Sequence, residues 1–375
     1  MSSTDRPGAR RRIGAALRLM AGRRRGGDPA RSGTLELAAQ EPAGDDASLA
    51  GLPFDANAFE SRLVWIMGAP RTGSTWLLRL LIHPWILARG TPSGLRAPLP
   101  RRGRQLPDVV PIDESYLLHH LAPLRPLPGE PAEQPPPDAF VVNGDRRADP
   151  SYFFSDAFEG AWQPELRRLV LTRLHAQSQR AAREHGLADP LVLIKEPNGS
   201  HAAELAMSLL PRSRLIFLLR DGRDVIDSLL DARGAEAWIG AGNMDMSDAA
   251  ERLAYVRLQA RLWLNSTNAV QSAYAAHPEE LRRTVRYEDL RADTLEALRP
   301  LAAWLGLPSD DAALRDAAEA NAFEAIPRRL RGSGTPRRSA TPGLWRENMT
   351  AAEQEAMEQI IGPKLRELGY AQTGT

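Results

Sequence analysis

The chain has 375 residues, and its 48 Lys and Arg against 47 Asp and Glu leave a formal charge of +1, which argues against a globally basic nucleic-acid binder. Cysteine is absent, which excludes disulfides, thiolate metal sites and a cysteine nucleophile and fits a reducing, cytoplasmic compartment. No apolar run reaches the roughly 18–20 residues that a bilayer-spanning helix needs, and the length suits one large α/β domain with decoration or two small ones.

The first 34 residues hold nine arginines and only two acidic residues, Asp5 and Asp28. The apolar stretch Ile13 to Met20 is short and interrupted by Arg18, unlike a secretory signal. Residues 1–58 are polar, aperiodic and rich in Gly, Ala and Pro, so they are expected to form a disordered basic leader ahead of one domain over 59–372.

Leu63 to Met67 reads as a strand that breaks into the loop Gly68-Ala69-Pro70-Arg71-Thr72-Gly73. Ser74, Thr75 and Trp76 then open a helical pattern (Leu77, Leu78, Leu80, Leu81) expected to stop near Pro84. A strand, a glycine loop and a helix N-terminus together cradle an anion, because free backbone N–H groups and the helix dipole face it. The spacing from Gly68 to Thr75 follows the phosphate-loop pattern G-x-x-x-x-G-K-[ST], but Ser74 stands where the lysine belongs. Without that point charge for a β/γ-phosphate, an anionic nucleotide other than a nucleoside triphosphate is the expected guest.

Residues 90–112 and 123–139 are crowded with Pro and read as long loops, a common place for an acceptor site. A helix is expected over 164–185 with Leu166, Leu169, Val170 and Leu174 on one face. Strand Leu191–Ile194, helix His201–Leu210, strand Leu215–Leu219 and a helix from Val225 follow at βαβ spacing. A long helix over Ala250–Ala276, a strand over Thr284–Tyr287 and a helix over 293–305 complete the pattern. Apolar strands alternating with helices predict a three-layer α/β/α fold with a central, mostly parallel sheet and a phosphate-binding loop.

A second signal is Arg220-Asp221-Gly222-Arg223-Asp224, which leaves a strand end, with Ser228 in the helix that follows. Ligands of open α/β sheets bind at the carboxyl ends of strands, so Arg220 and Ser228 can face the same crevice as the loop. A guanidinium gives two-pronged contacts to phosphate and a serine adds a neutral donor.

Taken together, these motifs resemble the sulfotransferases that use 3′-phosphoadenosine 5′-phosphosulfate (PAPS), over roughly residues 62–350. Pro70-Arg71-Thr72-Gly73-Ser74-Thr75-Trp76 looks like their 5′-phosphosulfate loop, and Arg220 and Ser228 match the pair that holds the 3′-phosphate. Trp76 matches an aromatic that stacks on the base, and the stretch Val285 to Leu290 looks like the segment whose tyrosine, here Tyr287, contacts the adenine. Gly343-Leu344-Trp345-Arg346 resembles the G-x-W-[KR] stretch, which implies Arg338 as a third cation for the 3′-phosphate, in competition with Arg331 and Arg337.

The resemblance implies in-line sulfuryl transfer to a hydroxyl or amine, with PAPS as co-substrate and no metal. Arg71 and Lys195 are the implied groups that stabilise charge on the leaving oxygen. Cytosolic members place a histidine two residues after the strand lysine, where this chain has Pro197. Glu196, Glu114 and the pair His119 and His120 then remain; the resemblance to the tyrosine-sulfating branch, whose base is a glutamate, implies Glu114 as the expected general base, followed by Glu196. The acceptor is left open among small molecules, carbohydrates, lipids and peptides. Two other readings compete: a small-molecule kinase with a degenerate phosphate loop, and a non-catalytic nucleotide-binding protein.

Overall fold

Five apolar residues in a row, Leu63–Met67, cannot alternate between core and water, and all five are buried. They form β1, the middle strand of a five-stranded sheet. The computed structural model describes residues 49–89, 109–113, 115–121, 124–126, 140–142, 147–185, 187–232, 245–307, 309–327, 332 and 340–370. Ahead of β1, Asp55 caps α1 (Ala56–Glu60) by accepting from Ala58 N at 2.9 Å. After it come α2 (Ser74–Arg89), β2 (Val109–Asp113), α3 (Leu117–Leu121), β3 (Leu124–Pro126), β4 (Phe140–Val142), α4 (Glu159–His185) and β5 (Leu191–Lys195). The 3-10 helix Pro197–Ala202, α5 (Ala203–Leu209), β6 (Arg214–Leu219), α6 (Gly222–Asp231), α7 (Ala249–Ala276), β7 (Arg282–Arg286) and α8 (Tyr287–Ala292) follow. The described chain closes with α9 (Thr294–Leu305), α10 (Asp311–Ala320), α11 (Trp345–Asn348) and α12 (Ala351–Glu367).

The sheet order is β2-β5-β1-β6-β7 and every pairing in it is parallel. Alternate residues of β1 feed two cores. Leu63, Trp65 and Met67 pack with Leu166, Val170 and Leu171 of α4, Ala206 of α5 and Val270 of α7. Val64 and Ile66 pack with Leu77 and Leu81 of α2, Leu298 and Leu301 of α9 and Leu314 of α10. Helices cover both faces, the three-layer arrangement expected from the sequence. Burying each such side chain contributes about 1.5–3 kcal/mol, so a charge at Ile66 would break the middle of the sheet. A third cluster joins α6, α7 and α12 around Trp345.

Several expectations need correction. Helix α2 runs through Pro84 to Arg89, because one proline removes one backbone hydrogen bond while Leu77 to Ile82 stay anchored in the core. The span read as a loop over 90–112 contains β2, hidden by Pro111; β2 lies at the sheet edge, where a proline is tolerated. Leu124–Pro126, inside what read as a second long loop over 123–139, pairs antiparallel with Phe140–Val142, just past that span, in a separate two-stranded sheet. Leu169 is exposed while Leu171 is fully buried, so the inner stripe of α4 passes through 166, 170, 171 and 174. The helix expected from His201 begins as the 3-10 turn and becomes α-helical only at Ala203. Tyr287 opens α8 instead of ending β7.

Candidate active site

Four parallel strands, β1, β5, β6 and β7, lead at their carboxyl ends into the segments that carry the described site residues. Gly68 follows β1 where the chain runs hard against β6: a Cβ there would lie 2.1 Å from the Leu218 carbonyl oxygen. The loop then takes two left-handed residues, Arg71 at φ 71° and Gly73 at φ 93°. A non-glycine residue there is strained by about 1–3 kcal/mol, a cost found where a loop is shaped for a ligand. Thr72 N donates to Ala69 O at 3.3 Å, and Trp76 and Leu77 N–H groups return to Gly73 O at 2.9 and 3.0 Å. Helix α2 starts at Ser74, so Ser74 and Thr75 lie in its first turn, whose amides lack helical partners.

The second motif reaches this loop directly. Arg71 Nε donates to Ser228 Oγ at 3.1 Å, and Arg220 Nη1 donates to the Arg71 carbonyl at 2.9 Å. Arg220 also lies 4.3 Å from the ring centroid of Tyr287, and the same ring crosses Gly73, where a Cβ would meet Tyr287 Cδ2 at 2.6 Å. Tyr287 is thereby a floor under both the glycine loop and the guanidinium. Its hydroxyl donates to Ala340 O at 3.3 Å, and burial pushes its phenol up from the ordinary value. Arg220 Nε is buried with no hydrogen-bond partner among the described residues. A partly buried guanidinium with one buried N–H left over suits an anionic acceptor.

Lys195 ends β5 beside the loop and is almost wholly buried. Its ammonium donates to Thr75 Oγ1 at 3.3 Å and pairs with Asp113 Oδ1 at 2.8 Å, across the β2–β5 register. Trp76 stands edge-on to Tyr287 with centroids 5.7 Å apart, and its Nε1 donates to Asn321 O at 3.0 Å. Arg71, Thr72, Gly73, Ser74, Thr75, Trp76, Lys195, Arg220, Ser228 and Tyr287 are thus linked by contacts or by the loop itself at one rim. Glu114 and Arg338, with Arg331 and Arg337, lie outside the described residues. Glu196 is buried, and its Oε2 accepts from Ser115 Oγ, an interaction that ties the 3-10 turn to the approach of α3.

Two features escaped the sequence reading. Asp113 partners Lys195, but Pro111 disguised its strand. Asp224 is buried, and its two carboxylate oxygens both accept from Gly343 N at 2.9 Å, anchoring the 343–346 stretch to α6. Burial pushes the Asp224 carboxyl up to about 6, against the opposing pull of the Gly343 hydrogen bond and the Arg220 charge. Gly343 takes the left-handed region at φ 87°, where glycine is unstrained, and nothing in the sequence pairs it with Asp224. Trp345 is fully buried, with the Arg223 and Arg346 guanidinium groups 4.4 and 4.5 Å from its ring centroid. Asp221 caps α6 and grips Arg223 with both oxygens, at 3.0 and 2.7 Å.

Among the described residues no group of three or more His, Asp or Glu is arranged to hold a metal ion. No described helix is long and apolar enough to cross a membrane.

A family model described as "Sulfotransferase family" matches residues 64–311. No curated protein matches the chain. Solved structures similar to it include the sulfotransferase domain from the curacin biosynthetic pathway, at 17% identity and TM-score 0.42, covering 83% of this chain and 98% of that one. The sulfotransferase domain of the Synechococcus PCC 7002 olefin synthase aligns at 19% identity and TM-score 0.42, over 83% of this chain and 95% of that one. Mouse sulfotransferase SULT7A1 complexed with PAP aligns at 11% identity and TM-score 0.44, over 82% and 85%.

Proposed function

Because this chain belongs to the sulfotransferase family, we propose that it transfers a sulfuryl group from PAPS to a hydroxyl or amine of an acceptor, in a cytoplasmic setting. The observation that carries the reading is the junction of two anion-binding features at one sheet rim. The amide loop 68–75 is one; Arg220 and Ser228 are the other; Arg71 touches both members of the second. A bisphosphorylated nucleoside offers one anionic group to each.

The residues present fit such a donor. The loop amides and the Thr72, Ser74 and Thr75 hydroxyls would hold the 5′-phosphosulfate, whose charge is lower than a triphosphate's, consistent with Ser74 in place of lysine. Arg220, with a buried N–H left over, and Ser228 would hold the 3′-phosphate. Tyr287 seats Arg220, and Trp76, next to it, would flank the adenine. Arg338 is the proposed third cation of that pocket.

Sulfuryl transfer resembles phosphoryl transfer in that catalysis is mostly positioning and charge stabilisation. Arg71 cannot donate a proton outright at ordinary pH, so it would stabilise the leaving oxygen by charge and hydrogen bonds. Lys195, held between Thr75 and Asp113, would add a second positive charge to the same oxygen's surroundings. Asp113 fixes that ammonium without occupying the loop.

Thermal unfolding with PAP, with ATP and Mg²⁺, and without ligand tests the reading. A ligand that binds only the native state raises the midpoint by mass action. PAP is expected to raise it without Mg²⁺, while ATP leaves it unmoved; the opposite ranking would favour a kinase with a degenerate loop.

A further inference from the structure

The first two residues of α8 hold Arg220 at both of its ends. Tyr287 sets its ring 4.3 Å from the guanidinium, and Glu288 Oε1 accepts from Asp221 N at 2.9 Å. That N–H belongs to the planar peptide unit joining Arg220 to Asp221, so the carboxylate fixes the backbone from which the Arg220 side chain leaves β6. Asp221 turns its own carboxylate the other way, onto Arg223 N at 2.9 Å and onto the Arg223 guanidinium. The residue after Arg220 is thus pinned through both its amide and its side chain.

The second oxygen of Glu288 is held from the end of α12. Tyr370 Oη donates to Glu288 Oε2 at 3.2 Å. Helix α12 closes in a left-handed turn at Gly369, φ 79°, with Gly369 N returning to Arg366 O at 3.0 Å and Tyr370 N to Leu365 O at 2.8 Å. The Tyr370 ring packs against the third core cluster and lies 4.9 Å from the Arg286 guanidinium, whose Nη2 donates to the Leu368 carbonyl. Burial pushes the Tyr370 phenol above its ordinary value, so the hydroxyl keeps a proton to donate.

Resting on the reading of Arg220 as a 3′-phosphate ligand, we propose that Glu288 and Tyr370 are positioning residues for that phosphate. The series of Tyr370 hydroxyl, Glu288 carboxylate and Asp221 amide sets the direction in which the Arg220 fork points. It thereby sets the preference of the pocket for a nucleotide that carries a 3′-phosphate. Both residues act through Arg220 rather than on the nucleotide. A planar fork gives a phosphate two N–H groups only over a narrow range of orientations, so a small rotation at its Cα misaligns both. An Arg220 held at its peptide meets the phosphate already ordered; one released there must be ordered on binding, which lowers affinity.

The geometry asks for a planar group with two ends, not for its charge. Glutamine can place its carbonyl oxygen on Asp221 N and its NH2 on the Tyr370 oxygen, which then accepts. Alanine offers neither. A role confined to stability would weaken every nucleotide alike, whereas a role in aiming Arg220 weakens only those that carry the 3′-phosphate.

The experiment measures, by calorimetry on the full chain, the dissociation constants of PAP and of adenosine 5′-monophosphate, which is PAP without its 3′-phosphate. A wild type that binds the two equally would remove the phosphate assignment of Arg220, and the role proposed here with it. Given a wild type that favours PAP, Glu288→Ala is expected to weaken PAP by about tenfold and the monophosphate by less than about twofold. Tyr370→Phe, which keeps the ring beside Arg286, is expected to weaken PAP by about threefold and to add nothing in a Glu288→Ala background, because the hydroxyl acts through the carboxylate. Glu288→Gln should stay within about twofold of the wild type for both nucleotides. An unchanged ratio of the two constants in Glu288→Ala, equal weakening of both nucleotides, or additive losses at the two positions would overturn the proposal. A loss in Glu288→Gln as large as in Glu288→Ala would assign the effect to charge and overturn it as well. Should Glu288→Ala fail to fold, Tyr370→Phe decides: a selective loss of PAP supports the positioning role, and an unchanged ratio ends it.

Discussion

Arg71 and Ser228 are 157 residues apart in the chain, yet Arg71 Nε donates to Ser228 Oγ at 3.1 Å. This contact ties the residue proposed to stabilise the leaving oxygen to one proposed to hold the 3′-phosphate. Accepting from Arg71 leaves the Ser228 O–H proton to donate to a phosphate oxygen, so the serine can bridge the two, and donor binding and the position of Arg71 are coupled. Ser228→Ala removes both functions of the hydroxyl. A hydrogen bond to a charged group contributes about 1.5–3 kcal/mol, so PAP affinity is expected to fall by tenfold or more. Calorimetry with PAP checks this; an unchanged dissociation constant would remove Ser228 from the phosphate pocket.

Arg220 has more at stake than Ser228. It braces the loop through the Arg71 carbonyl, lies over Tyr287 and keeps a buried N–H without a partner. Arg220→Ala is expected to weaken PAP by at least a hundredfold while the sheet stays folded. Arg220→Lys should recover only part of the loss, because a point charge cannot contact the loop carbonyl and a phosphate with the geometry of a planar fork. Full affinity in the lysine variant would mean that charge alone suffices there.

The backbone of Arg71 makes a separate prediction from its side chain. At φ 71° any residue with a Cβ is strained, whereas glycine is not. Arg71→Gly should therefore be more stable than Arg71→Ala by about 1 kcal/mol, read from denaturant midpoints. Both should lose about 10²–10³ in turnover with a smaller loss in PAP affinity, as expected for a donor that acts on the transition state. Equal stability of the two would show that the loop relaxes once the side chain is gone.

The loop and its partner motif were legible because both are local: a strand, a glycine at fixed spacing and a helix start lie within about a dozen residues. Lys195 was legible for the same reason, as the polar end of an apolar run. The groups that hold these residues were not. Asp113 sits on a strand that Pro111 makes look like a loop, and an edge position that tolerates proline is a property of sheet order, which appears only when the strands are assembled. Asp224 meets Gly343 across 119 residues, and no periodicity in either segment announces the other. In sequence Glu288 is one more carboxylate at a helix start; its partners, the Asp221 amide and the Tyr370 hydroxyl, meet it only when β6, α8 and α12 are assembled.

Asp224 gives the fold a titration that can be read without turnover. Its carboxyl is buried on α6, accepts Gly343 N, and is pushed up from 3.8 to about 6, chiefly by loss of solvent. A carboxyl raised in the folded state favours the protonated native form, so its contribution to stability is full below pH about 3.8 and is lost as pH rises through about 6. At pH 7.5 the wild type therefore carries an ionised, poorly solvated carboxylate, at a cost of at most about 3 kcal/mol. Asp224→Asn removes the charge and keeps one oxygen to accept from Gly343. The variant should melt above the wild type at pH 7.5, and the gap should shrink by about half as pH falls to 5. Melting curves of the two proteins across that range check it, with the difference between them cancelling the titration of Glu60, whose carboxyl is also raised by burial. A gap that is the same at both ends of the range would show that Asp224 does not titrate there, and that its hold on Gly343, not its charge, sets the effect.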